Sequence, residues 1–242
     1  MKRLLGCALF LSIGYVMAAE PVAFRADARV EVGANGVPTK VEASADLPEG
    51  IRRFIEQKVA TWQFTPPARD GVVSAGVTFL SLGACAVPTE GGYRMGVHLK
   101  GNGPKHAGGA WMTAPRLPIA ALRSAGKLQH VVTYIVEPDG SATLEDIEFS
   151  EPAFRRRFGI ESAIETWVAS LRFVPEQLAG KPVRTRMRAT LTTVVTGKGI
   201  PKDLRQDSRK RAERSPECQV AATGNGLLPV AVDSPISVVT SG

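Results

Sequence analysis

Three histidines, a run of carboxylates, three cysteines and an arginine-rich stretch are the residues of this chain whose types could do chemistry. His98, His106 and His130 fall in a weak strand, a glycine-rich loop and a strand start. No two of them have the i, i+4 spacing that puts two ligands on one helix face, so they read as surface or loop histidines. Glu145, Asp146 and Glu148 are close carboxylates, but alternation along a strand divides them between its faces. Solvated charge is the better reading. No Gly-x-Ser-x-Gly elbow, phosphate-cradling glycine loop or Cys/His cluster occurs. No catalytic residues, metal or cofactor are therefore expected, and the chain is not expected to be an enzyme.

The arginines support a sharper idea. Val183, Thr185, Met187, Ala189, Leu191 and Thr193 alternate with Arg184, Arg186, Arg188 and Thr190, giving one strand an apolar-to-neutral face and a basic one. If this strand is a sheet edge, its free N–H and C=O groups can receive an extended peptide. Arg184, Thr185, Arg186 and Arg188 would then be the partner-binding residues, favouring acidic partners or anionic surfaces. The competing reading is that edge charges simply prevent aggregation.

The elements that must position this strand occur twice. In the later stretch, Leu128–Val195, Val131–Val136 is a β-branched run, Glu137-Pro138-Asp139-Gly140 a turn, and Ala142–Phe149 a second strand. Ile160, Ile164, Trp167 and Leu171 then recur at helical spacing, followed by Phe173-Val174-Pro175, Gly180 and the closing strand Val183–Val195. In the earlier stretch, Phe24–Leu82, Val30 and Val32 precede Asn35-Gly36, a two-residue hairpin signal that calls for φ > 0 at both positions. Val37–Ala43 follows, then a helix carrying Ile51, Ile55, Val59 and Trp62, then Phe64-Thr65-Pro66, Gly71 and the strand Val73–Leu82. The expected fold is α+β, two tandem β-β-α-β units, each a small antiparallel sheet with a helix on one face. The two Phe-x-Pro motifs, with Trp62 and Trp167, read as core; Trp111, beside a glycine-rich loop, is a candidate binding aromatic.

Composition adds limits. The chain has 242 residues, 44% hydrophobic and 22% charged, as in ordinary globular proteins, and a net charge of +7. Lys2-Arg3 and the apolar Leu4–Val16 read as a secretory signal over residues 1–19, cleaved before Ala19 or Glu20. An uncleaved anchor is the alternative, although the stretch is shorter than the ~20 residues a spanning helix needs. Cleavage removes Cys7 and leaves Cys85 and Cys218, an even pair that can form a disulfide after export or stay as two thiols. The expected organisation is a first, degenerate unit over 20–100, a glycine-rich linker over 101–116 and a second unit over 117–197. A basic tail over 198–242 is expected to be disordered, because Lys198–Arg214 is almost free of apolar residues. Leu227–Val239 alone is apolar enough to form a strand against something. Weak contact of the tail with anionic membrane is compatible with that charge; export argues against nucleic acid.

The second unit resembles the TonB C-terminal domain family. The match runs from Pro118 through Ala121–Gly126, Asp139-Gly140, Ser150 and the helix to Phe173-x-Pro175 and Gly180-Lys181-Pro182-Val183. The first unit matches through Asn35-Gly36, Ser44, Trp62-x-Phe64-x-Pro66 and Gly71-x-Val73. The resemblance implies a three-stranded sheet with one helix, a periplasmic location and pairing with a short peptide of a protein partner in the cell envelope. An energy transducer of that family needs a membrane-held N-terminus and a long Pro-rich spacer; here Ala19–Phe24 leaves almost none. The expected function is thus a periplasmic interaction module acting by strand addition, accessory to TonB-dependent envelope transport. A membrane-anchored transducer and a structural module without a free edge are the alternatives. The partner and the oligomeric state stay open.

Overall fold

A computed structural model describes residues 22–90, 92–108, 114–118, 127–150, 159–194 and 229–240. The stretch read as a secretory signal, Trp111, the lead-in Ala121–Gly126, the basic run Lys198–Arg214 and Cys218 lie outside the described residues. The architecture is mixed α+β, with antiparallel strands in small sheets and two helices among the described residues.

In the first half, β1 (Val22–Val32) buries Ala26, Ala28, Val30 and Val32 and turns Arg29 and Glu31 outward, as a period of two requires. It pairs with β2 (Pro38–Ala43) on one side and β6 (Gly76–Thr89) on the other. Helix α1 (Glu49–Ala60) buries Ile55 and Val59 against this sheet, and Trp62 and Phe64 complete the core just beyond the helix. In the second half, β9 (Lys127–Val136) lies between β10 (Ala142–Phe149) and β14 (Thr185–Val194). Helix α2 (Ile160–Ser170) buries Ile160, Ile164, Trp167 and Val168 beneath them.

The turns repeat bond for bond. Gly36 N–H donates to the Gly33 carbonyl and Val37 N–H to Asn35 Oδ1. Gly140 N–H likewise donates to Glu137, and Ser141 N–H to Asp139 Oδ1. Gly36 and Gly140 have φ of 78° and 83°. Asn35 is not in the positive-φ region, so this is a turn closed by a left-handed glycine rather than the expected two-residue hairpin. Each glycine carbonyl then accepts the N–H of a distant phenylalanine, Phe64 to Gly36 at 2.9 Å and Phe173 to Gly140 at 2.8 Å. A Cβ on either glycine would sit 2.2 Å from that phenylalanine's carbonyl oxygen. The Phe-x-Pro motif is thus a hook latched onto the turn. Past the hook each half forms a tiny hairpin through two left-handed residues: β4 (Ala68–Arg69) with β5 (Val72–Val73) at Asp70-Gly71, and β12 (Gln177–Leu178) with β13 (Lys181–Pro182) at Ala179-Gly180.

Three expectations about chain organisation change. The strand expected over Val73–Leu82 starts at Gly76, with Val73 in the small hairpin, and runs on to Thr89 because β7 (Gly92–Gly103) pairs along it. The linker expected over 101–116 begins as structure: Gly101–Gly103 finish β7, and β8 (Lys105–His106) pairs with β11 (Phe173–Val174) of the second half. The tail expected to be disordered over 198–242 contributes β15 (Val230–Ala231) and β16 (Val238–Thr240). β15 adds to β14, while β16 crosses to β3 (Gln63–Phe64) of the first half. The two halves therefore hold each other: β8 reaches from the first onto the second hook, and β16 from the second onto the first. Ile236, fully buried in the first core, fixes the crossing, with Leu178 and Val183 beside it. Gly76 makes room for them, since a Cβ there would lie 2.7 Å from Ile236.

Candidate functional site

Strand β14 meets the alternation expected of it. Thr185, Met187, Ala189 and Leu191 are buried, while Arg184, Arg186, Arg188 and Thr190 point outward. The basic face is compensated by the same sheet. Arg184 pairs with Glu137 at 3.4 Å, Arg186 holds Glu145 through two bonds of 2.6 and 2.7 Å, and Arg188 bonds Glu148. The hydrogen bond from Arg186 holds the Glu145 carboxyl below its ordinary range. Sequence alternation had divided Glu145, Asp146 and Glu148 between two faces. A register shift between Leu144 and Asp146 overturns that, leaving all three exposed on the arginine side.

The outer edge of β14 is partly taken. Met187 and Arg188 pair with Ala231 and Val230, Val232 N–H donates to the Arg186 carbonyl at 2.8 Å, and Arg186 N–H donates to Asp233 Oδ1. Backbone groups of a strand alternate sides, so the N–H and C=O of Thr190 and Thr192 point to that same outer side. No strand pairs with them there among the described residues. The site residues expected from the sequence thus separate. Arg186 and Arg188 lie on the edge beside a strand of the same chain, Arg184 lies just before it, and Thr185 is fully buried. Thr185 faces the core because it belongs to the inward set of the alternation.

What Thr185 does instead gave no sequence signal. Its hydroxyl donates to Glu176, a carboxylate with no exposed surface that also accepts Thr78 at 2.6 Å and Ser234 at 2.8 Å. Burial pushes the Glu176 carboxyl up, against the three hydroxyl bonds. One residue of each half and one of the C-terminal segment meet on this acid. Asn102, at the end of β7, donates to both Ser234 Oγ and the Ile236 carbonyl, so the two crossing segments are also bonded to each other.

The histidines need a correction. His130 is 1% exposed, with both nitrogens unpartnered and the ring stacked on Phe149 at 5.8 Å. Burial pulls its pKa down to about 4. It belongs to the core because β9 sends His130, Val132, Tyr134 and Val136 inward together. His106 packs edge-on to Phe173, and only His98 and His106 stay partly exposed. Among the described residues no group of His, Cys, Asp or Glu could hold a metal ion. Cys85 is buried; its pairing with Cys218 stays a proposal.

Two clefts lie among the described residues. One of about 200 Å³ is lined by Arg25, Asp27, Ser44, Asp46 and Lys105. There burial raises the Asp27 carboxyl while Lys105, 4.0 Å away, opposes it. The other, about 580 Å³, runs along the outer side of α2 by Ser162, Thr166 and Trp167. No helix among the described residues is long and apolar enough to cross a membrane. No protein-family model, curated protein or solved structure matches the chain.

Proposed function

We propose that the chain is an exported interaction module, built from two tandem β-β-α-β units of the TonB C-terminal domain type, that captures an extended partner segment on the outer edge of β14. The observation that carries this reading is that the edge already bears an added strand, β15, in antiparallel register. The first half offers the template for a longer one, because β7 pairs with the corresponding strand β6 from Phe79 to Thr89. The matched turns and hooks at Gly36–Phe64 and Gly140–Phe173 support the tandem units. The partner is a protein segment in the periplasm, in a role accessory to TonB-dependent transport across the envelope. It is recognised mainly through the backbone, since the arginines are already paired.

A structural module with no binding edge is the second reading, favoured by the occupation of the edge at Met187 and Arg188. A pull-down from envelope extract separates the two. Thr192→Pro removes one outward N–H and leaves the ladder to β9 intact. Loss of a captured protein by this variant supports strand addition; capture undiminished by the proline counts against it. Sequencing the mature N-terminus tests the export step, and a start at Ala19 or Glu20 would exclude the anchored transducer.

A further inference from the structure

The segment from Val230 to Thr240 is held very unevenly. Ile236 is fully buried, Ser234 is bonded to Glu176, and Val238 pairs with Phe64. Upstream, Val230 is 47% and Val232 57% exposed, and Asp233 caps a single N–H. Burying a residue like Ile236 contributes roughly 1.5–3 kcal/mol, whereas half-exposed valines with two residue pairs contribute far less. The segment is an anchor from Ser234 onward and, before it, a short strand with both valines half-exposed, whose one inward side chain is Ala231, packed against Gly103 and the second core.

We propose that residues 230–233 are a self-ligand: they occupy the seat the partner takes and show the partner's chemistry. That chemistry is an extended run of small and β-branched apolar residues ending in a carboxylate, placed over the N–H of Arg186. The inference rests on the strand-addition reading. A partner displaces residues 230–233 from β14 while the anchor at Ile236 keeps the two halves clasped, so binding does not require the fold to open. Because the competitor is tethered, its effective concentration is on the order of millimolar, and weak partners are excluded.

The test uses the full chain, labelled with ¹⁵N, and a synthetic peptide copying Leu227–Ser234, followed by amide shifts at Arg186 and Arg188. Val232→Pro deletes the N–H that bonds the Arg186 carbonyl, and Asp233→Ala is a second, milder release. Apparent affinity at least tenfold higher in either folded variant than in the wild type is the expected result. Equal affinity in wild type and variants, abolished by Arg186→Pro, would overturn the self-ligand while leaving strand addition standing. No binding by any form, or binding that survives Arg186→Pro, would overturn both. A Val232→Pro chain that doubles its mass in light scattering would give the seat to a second copy and also overturn the proposal.

Discussion

The two halves share a hook and differ in how they finish an edge. At Gly36–Phe64 and at Gly140–Phe173 the same turn, the same left-handed glycine and the same backbone bond recur. Beyond them β6 is covered along its length, by β12 at Gly76 and Val77 and by β7 from Phe79 onward. β14 is covered only at Met187 and Arg188, with Asp233 capping Arg186. The comparison teaches that the two halves agree in the hook, which ties the segment after each helix to a turn of the sheet. The edge is where they part: one is paired from end to end, the other at two residues.

The hook gives the largest expected effect. Gly36→Ala and Gly140→Ala each place a Cβ 2.2 Å from a carbonyl that cannot move without breaking the hook, on a backbone at positive φ. Each should cost at least about 2 kcal/mol, read as a fall in Tm by thermal unfolding. Gly71→Ala and Gly180→Ala share the positive φ but meet nothing within 4 Å, so they should cost about 1 kcal/mol. Similar losses at positions 36 and 140 sustain the equivalence of the hooks; a mild Gly36→Ala beside a severe Gly140→Ala would break it. Next comes Ile236→Ala, at about 2–4 kcal/mol for a buried isoleucine. It strips the clasp, so its unfolding should lose cooperativity between the halves in calorimetry.

The residues of the hooks were legible in the sequence as turn glycines and core phenylalanines, because glycine at a turn and Phe-x-Pro after a helix are local signals with fixed spacing; the backbone bond that joins them was not. The course of β7 into β8 was not. Gly101, Gly103 and Pro104 look like loop residues, and Gly103 in fact serves at φ of 135° where Ala231 packs 2.7 Å from where its Cβ would be. Glycine there reports a close approach of two segments of the chain, which no local pattern distinguishes from flexibility. The buried Glu176 was equally silent. It stands where the first half has Pro67, and its partners Thr78 and Ser234 are brought by the crossing of the two halves. The arginines were legible as a basic face. Their neutralisation was hidden, because the pairs join different strands and that of Arg186 depends on a bulge at Glu145.

Acid should sharpen the comparison, since each buried titrating group has an opposite sign. His130 has its pKa lowered to about 4 by burial, against 6.5 when unfolded. Its contribution to stability is full above pH 6.5 and is lost as pH falls toward 4, by up to about 3 kcal/mol in all. Glu176 has a raised pKa, so its contribution is present at low pH and is lost as pH rises through the folded value. Denaturant midpoints between pH 7 and 4 should therefore fall in the wild type and flatten in His130→Leu. Glu176→Gln, in contrast, should steepen the fall by removing the opposing term. If His130→Leu leaves the slope unchanged, the second core is not where acid acts.

The smallest expected effect separates charge from backbone in the edge of β14. Glu145→Gln with Glu148→Gln frees Arg186 and Arg188, which in the wild type are held by those carboxylates. The pairs are exposed and screened, so Tm should move by no more than ~2 °C. Affinity for the peptide copying Leu227–Ser234 is the informative readout. If recognition runs through the N–H and C=O groups of β14, the double variant should bind the peptide within about threefold of the wild type, with a steeper dependence on salt. A gain of tenfold or more would mean that the glutamates had been masking a basic site. The two halves would then share a masked basic face, because the first half pairs its own outward Arg29 with Glu31 and Glu42 in the same way, and only the edge would set them apart.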